Sequence, residues 1–446
     1  MSNGIVNDLV WYGKIPNDWH GCRIKDVSRL SPPFSQNKPD DIEACTVVPM
    51  EFVSEFGEVD SSQQQLFQDV SDGLPNFEEG DVIFAKITPC MENGKGAFIE
   101  KIPTRYAFGS TEFHVLRTSR LIDGKFLYYF TFNPTYRKYA ETNMTGAAGQ
   151  KRVSSNFLKY TRIFLPPIEV QAQIAQYLDQ TCTAIDRTIA IKQDQFEKLD
   201  TFGKSQISKV MVEGINPGVQ RQTVNSTWFD EIPAHWTLRR LKDAITLQTG
   251  ITLGKEYDGE LVEYPYLRVA NVQDGYLNLD DITTIFLPKR DVPRYLLRTG
   301  DVLMTEGGDL DKLGRGHVWR GEIEGCLHQN HVFAVRCDEN KLLPEYLAFL
   351  TSSNHGRNYF EITGKRTTNL ASTNSTKVGL FPVPLPPVDE QLGIIEYLNT
   401  ELKKIGSIKT GVERQIEVLQ DYKKSLIHEC VTGKCRITEA ALRDFT

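Results

Sequence analysis

Apolar residues recur at alternating steps of three and four along two stretches of the chain: Ile174, Leu178, Cys182, Ile185, Ile189, Phe196 and Leu199, then Ile394, Leu398, Leu402, Ile405, Val412, Ile416, Leu419 and Leu426. That spacing puts the apolar side chains in one stripe of a helix and is the pattern of a coiled coil. The first helix is predicted from about Ile168 to Val212, after Leu165-Pro166-Pro167, with Pro in the first turn where its missing N–H is not needed. At that extent it is about 65 Å long, more than a small domain needs to cover its own core. Asp389 and Glu390 open the second helix, where carboxylates complement the macrodipole. Gly214, Asn216, Pro217 and Gly218 end the first and begin a linker. Elsewhere the pattern is short and β-rich. Asp81–Ala85, Glu112–Leu116 and His331–Val335 read as strands, and Phe126–Phe130 and Glu345–Leu350 as packed helices.

The chain repeats itself in order, offset by about 220 residues. Ile15-Pro16-Asn17-Asp18-Trp19, followed by Arg23, Lys25 and Asp26, returns as Ile232-Pro233-Ala234-His235-Trp236, followed by Arg240, Lys242 and Asp243. Gly80-Asp81-Val82 returns as Gly300-Asp301-Val302, and Leu165-Pro166-Pro167 with Gln171, Ile174, Tyr177 and Leu178 returns as Leu385-Pro386-Pro387 with Gln391, Ile394, Tyr397 and Leu398. Turn chemistry alone does not reproduce Trp, Tyr and Gln at matched places. The fold class expected is α+β: two globular mixed α/β domains separated by an antiparallel pair of long coiled-coil helices, a pseudo-twofold internal repeat. The divisions expected are 1–165, 166–214 (first helix), 215–385 and 386–446 (second helix and tail). Helix-to-helix contacts are expected from Ile174, Leu178, Ile185, Ile189, Leu199, Leu398, Leu402, Ile405, Val412 and Leu419.

Composition fits packed domains, with 40% hydrophobic and 24% charged residues. No basic region followed by an apolar run opens the chain, and no apolar run could span a bilayer, so a cytoplasmic protein without membrane contact is expected. The eight cysteines include no CxxC pair, which reads as reduced structural thiols and no metal site. The net charge of −7 counts against a chain that grips DNA alone, because phosphate neutralisation supplies most non-specific affinity. Local basic loops or basic partner subunits would reconcile the two.

These motifs resemble the specificity-subunit family of type I restriction-modification enzymes, over nearly the whole chain. They are the Trp-ended opening motif, the Gly-Asp-Val strand, and a Leu-Pro-Pro-x-x-Glu-Gln-x-x-Ile helix start that Leu385–Ile394 satisfies in full. The first copy departs from the last motif, with Val170 in place of Glu. The resemblance implies that each globular part is a target recognition domain reading one half of a split, asymmetric site on double-stranded DNA. It also implies that the helices set the spacer and bind two methyltransferase subunits, and that restriction/translocase subunits join them. No cofactor is expected on this chain, with S-adenosylmethionine, ATP and Mg in the partners.

Base readers need donors and acceptors on loops beside the strands. One candidate loop follows each Gly-Asp-Val strand: Lys86, Thr88, Asn93 and Lys95 in the first head, Thr305, Lys312 and Arg315 in the second. Another precedes the helix region: Gln150, Lys151 and Arg152, and Lys365, Arg366 and Thr367. Gln329 and Asn330 complete the set; the histidines flanking them read as packing or surface residues. Lys192, Lys198, Lys204 and Lys209 read as a solvated helix face or a docking face.

Catalytic readings are weaker. Asn133-Pro134-Thr135-Tyr136 has the wrong third residue for the base-holding motif of amino-methyltransferases and reads as a helix cap. Gly146–Lys151 lacks phosphate-loop spacing, and no nuclease carboxylate pair, nucleophile elbow or metal-binding helix is found. The chain is therefore expected to be non-catalytic. The alternatives are a free-standing DNA methyltransferase or nuclease, and a coiled-coil scaffold.

Overall fold

The computed structural model describes residues 12–35, 37–147, 149–254, 257–308, 313–366 and 371–437. The chain divides into two compact units, Met1–Lys192 with Arg414–Thr446, and Gln193–Glu413. Each unit therefore takes in one globular head and a stretch of both long helices, Ile168–Glu213 and Val388–Val431. Among the described residues no helix is long and apolar enough to cross a membrane.

In the first unit, the Val82–Ala85 strand lies between Phe113–Thr118 and Gly96–Phe98 in an antiparallel sheet whose edge is Ser28–Leu30. A second sheet runs Gln64–Leu66, Ala44–Val48, Tyr106–Gly109, Asn76–Phe77, its central pair parallel. The second unit repeats the first sheet with Ile245–Thr249, Val332–Cys337, Val302–Thr305 and Gly316–Val318. A further sheet there has three strands, Thr283–Pro288, Leu261–Leu267 and Leu327–His328, the last pair again parallel. The head helices match as well: Gly124–Phe132 in the first unit corresponds to Pro344–Ser352 in the second, nine residues each.

The repeated motifs do the same work in each unit. Asp81 and Asp301 are almost wholly buried, and each carboxylate takes a two-pronged guanidinium from the neighbouring strand, Arg117 at 2.9 and 2.8 Å and Arg336 at 2.8 and 3.2 Å. Each also accepts a turn N–H, from Glu78 and Arg298. The preceding Gly80 and Gly300 sit at φ +88° and +91°, where a Cβ is unfavourable, so the Gly-Asp pair is a turn that delivers a buried anion to a fixed cation.

Gln171 and Gln391, in the first turns of the long helices, are buried and fully bonded. Gln171 Oε1 accepts from Asp123 N, while Nε2 donates to the Pro166 and Leu121 carbonyls. Gln391 accepts from Leu343 N and donates to Lys341 and Pro386. Glu390 accepts from His235 at 2.7 Å, whereas the first copy has Val170 and Asp18 at those places, so the departure in the motif removes both members of one pair.

The long helices pair antiparallel within each unit. In the first, Lys423 donates to Asp186 at 2.6 Å, and Ile174, Leu178, Cys182, Ile185 and Ile189 share a core with Leu426, Ile427, Cys430 and Val431, against which Leu419 packs. In the second, Lys409 donates to Asp200 at 3.0 Å and lies over the Phe196 ring, and Gly203 approaches Leu402 and Ile405. There Val412 and Leu398 are buried, and Leu199 and Leu402 partly so. Lys198 and Lys204 pair with Asp194 and Asp200 along their own helix. Each helix ends in a glycine at positive φ, Gly214 and Gly433, and a Cβ there would meet Trp236 and Trp19 respectively.

Replacing Asp301 by Ala strands Arg336 and is expected to destabilise the second unit by about 3 kcal/mol, whereas Asp301→Ala with Arg336→Met recovers much of that loss. Urea denaturation of the three chains measures both effects, and an unchanged midpoint for the single variant contradicts the assignment.

Candidate nucleic-acid interface

The two loops singled out in each head come together. In the first, Thr88 N donates to Lys151 O at 3.0 Å, Val153 N to Lys86 O at 2.8 Å, and Arg152 and Thr145 exchange backbone bonds at 2.8 and 3.0 Å. In the second, Gly307–Gly308, Ala371–Ser372 and Lys365–Arg366 form a three-stranded ribbon, and Thr373 N donates to Glu306 O. Short backbone ribbons therefore join the two candidate loops of each head into one rim.

Individual candidates differ. Gln150, Lys151, Asn93, Lys365 and Arg366 are exposed, and Lys86, Thr88, Gln329 and Asn330 are half-buried. Thr88 also bonds Glu92 and the Lys151 carbonyl through its hydroxyl. Arg152 is forked onto Glu112, with Nη2 to Oε1 at 2.7 Å and Nε to Oε2 at 3.0 Å, and its cation holds the Glu112 carboxyl below the usual range. Lys95 turns inward and donates to Met50 O at 3.0 Å. Thr305 is buried as the last residue of its strand, the half-buried positions beginning at Glu306, and Arg315 is half-buried. Lys95 and Thr305 thus leave the set that faces solvent. Lys312 and Thr367 lie outside the described residues.

The Lys, Arg, Asn, Gln and Thr candidates leave out the acidic members of the rim, Glu112 and Glu306. The signal available was the repeat: Glu306 stands where the first head has Lys86, each heading the loop after its Gly-Asp-Val strand. Asn133 caps the Pro134–Thr142 helix by accepting from Thr135 N, so the Asn-Pro-Thr-Tyr stretch is structural.

Two buried histidines anchor this region. His114 Nε2 donates to Val153 O at 2.9 Å, and His328 Nδ1 donates to Val332 O at 2.6 Å while its Nε2 meets the Gln248 amide. Burial pushes both down to about 4, so both are neutral at pH 7.

Residues 16–200 and 233–418 each match the type I restriction modification DNA specificity domain. The chain belongs to that family. Among its relatives, the type I restriction enzyme EcoAI specificity subunit of Escherichia coli is 31% identical over 189 residues, 42% of this chain and 31% of that protein. The EcoKI specificity subunit of Escherichia coli strain K12 is 24% identical over 383 residues, 80% of this chain and 79% of that one. The matched stretch thus spans about a third of the EcoAI subunit, and in another specificity subunit it spans 49%. A chain solved in a study of complex assembly and conformational transition of the type I R-M system shares the fold, with a TM-score of 0.73 and 18% identity over 95% of this chain and all of that one. The family's specificity domain accounts for both heads and for most of both long helices.

The histidines generate a pH dependence. Both have folded values below the unfolded 6.5, so the unfolded chain binds more protons between pH 6.5 and 4, and stability falls as pH drops through that window. At pH 5 each histidine is expected to remove about 2 kcal/mol relative to pH 7. Thermal unfolding across pH 7.5 to 4.5 should show a flatter decline in His114→Gln and His328→Gln than in the unaltered chain; parallel declines would contradict the assignment.

Proposed function

We propose that this chain is the DNA-sequence specificity subunit of a type I restriction-modification enzyme. Each head reads one half of a bipartite, asymmetric target, and the helix pair docks the methyltransferase subunits, to which restriction subunits are added. The observation that carries the reading is that the specificity domain occurs twice and that each copy presents a rim with the same backbone pairing and different side chains. Equal frames place a DNA segment in the same way; unequal side chains select different bases. Chemistry is assigned to the partner subunits, and the chain itself is a non-catalytic, cytoplasmic reader. Exposed Ile191, Val418 and Tyr422 on the first unit's helices, and Phe202 and Ile408 on the second's, supply apolar surface for docking.

Co-expression with methyltransferase subunits, followed by single-molecule methylome sequencing, tests the reading. A split motif with two unlike halves is expected, and exchanging one head should change one half only. A continuous motif, or unchanged methylation after the exchange, would sink it. Because the net charge is −7, the isolated chain is expected to bind DNA weakly. Tight, salt-insensitive, site-specific binding without partners, measured by fluorescence anisotropy, contradicts that division of labour.

A further inference from the structure

The internal repeat permits a comparison of the two rims position by position. Scaffold positions carry the same residues in both heads: Gly80 and Gly300, Asp81 and Asp301, Gln171 and Gln391, Trp19 and Trp236. Rim positions with equivalent backbone bonds do not. Lys86 N donates to Glu112 O in the first head and Glu306 N to His331 O in the second, so Lys opposite Glu becomes Glu opposite His. Arg152, paired with Ile87, corresponds to Ser372, paired with Gly307. The frame is kept while the side chains it displays change, Lys86 to Glu306, Glu112 to His331 and Arg152 to Ser372.

On each rim one carboxylate nevertheless grips one donor side chain. In the first head Glu112 takes Nε and Nη2 of Arg152, whose side chain is 42% exposed. Nη1 also reaches the Gln150 carbonyl at 3.3 Å. Two of the five guanidinium N–H groups are left among the described residues, and a pair of guanidinium donors is what meets O6 and N7 of guanine. In the second head Glu306 Oε2 lies 2.7 Å from His331 Nδ1, and the imidazole is 53% exposed. The carboxylate holds the proton on Nδ1 and leaves Nε2 as the ring's other polar atom. The grip comes from opposite sides of the frame, Glu112 from the position matched by His331 and Glu306 from the position matched by Lys86.

We propose that Glu112 and Glu306 are positioning residues for base readout, Glu112 fixing the guanidinium of Arg152 on the first rim and Glu306 the imidazole of His331 on the second. The inference rests on the DNA-reading function given above. Exposed pairs of this kind add little to stability, so their contribution lies in orientation: a long side chain held in one rotamer loses less freedom on meeting a base. Breaking a purely structural pair would lower stability without altering sequence choice, and the two roles separate on that point.

The test uses the full chain co-expressed with methyltransferase subunits in a host lacking other methylation, read by methylome sequencing and by the thermal unfolding of the purified complex. The unaltered complex defines the two half-sites. Arg152→Ala is expected to relax one half-site and His331→Ala the other. Glu112→Gln and Glu306→Gln should reproduce those losses at the same half-sites, with about a tenfold drop in preference for the cognate base, while the unfolding temperature hardly moves. Glu112→Asp and Glu306→Asp keep the charge and should restore much of the preference. Full methylation of the original motif by both Gln variants overturns the inference. So does a loss of methylation that tracks a loss of stability and is not rescued by Asp. If Arg152→Ala and His331→Ala leave the motif intact while a head exchange changes it, the inference fails and the specificity function stands. If the unaltered complex methylates a continuous motif, the functional reading fails and takes the inference with it.

Discussion

The attachment of each long helix to its head depends on a glutamine that has no water to turn to. Gln171 and Gln391 satisfy the helix-side carbonyl of a Leu-Pro-Pro segment with one edge of the carboxamide and the loop ahead of a head helix with the other. A buried amide that loses its partners carries the full penalty of desolvation, so helix and head are fixed to one geometry. The strands lead to that loop, the loop to the glutamine, and the glutamine to the helix. Within each unit the direction of the helix is therefore set where it leaves the head.

The buried Asp–Arg pairs belong to the same design. Asp81 with Arg117 and Asp301 with Arg336 sit at the turn that starts the central strand, and the loop at the other end of that strand belongs to the rim. A charged pair in that position accepts only one register, because slipping the strand by one residue would bury an unpaired carboxylate. Rigidity at the base of the strand and variety at its tip are compatible, since the Gly-Asp turn and its Arg partner repeat while the rim side chains do not.

Much of this could be read from sequence where the signal is local or repeated. The first helix runs Ile168–Glu213 against an expectation of about Ile168 to Val212, because Pro fixes its start and Gly214 its end. Gly-Asp-Val, Leu-Pro-Pro and the matched Gln are legible as repeats in the sequence itself. What resisted was direction and pairing. Lys95 and Lys151 are the same residue type in neighbouring candidate loops, yet one donates to the Met50 carbonyl and the other faces solvent. Thr305 lies one residue inside the boundary that burial draws. The ribbons that join the loops pair residues far apart in sequence, and pairing of that kind leaves no periodic trace. Nor does helical periodicity reveal that each compact unit takes one stretch from each long helix.

Tyr12, at the start of the described chain, shares a core with Leu426, Ile427, Cys430 and Val431 near its end. A ribosome delivers these partners in sequence, at about 5–20 residues per second. The core of the first unit must stay open while residues 193–413 are made, for roughly 10 to 45 s, with Ile174, Leu178 and Cys182 lacking their partners on the second helix. The second unit has all its segments in one continuous run and closes first. The core begun first is thus the one completed last.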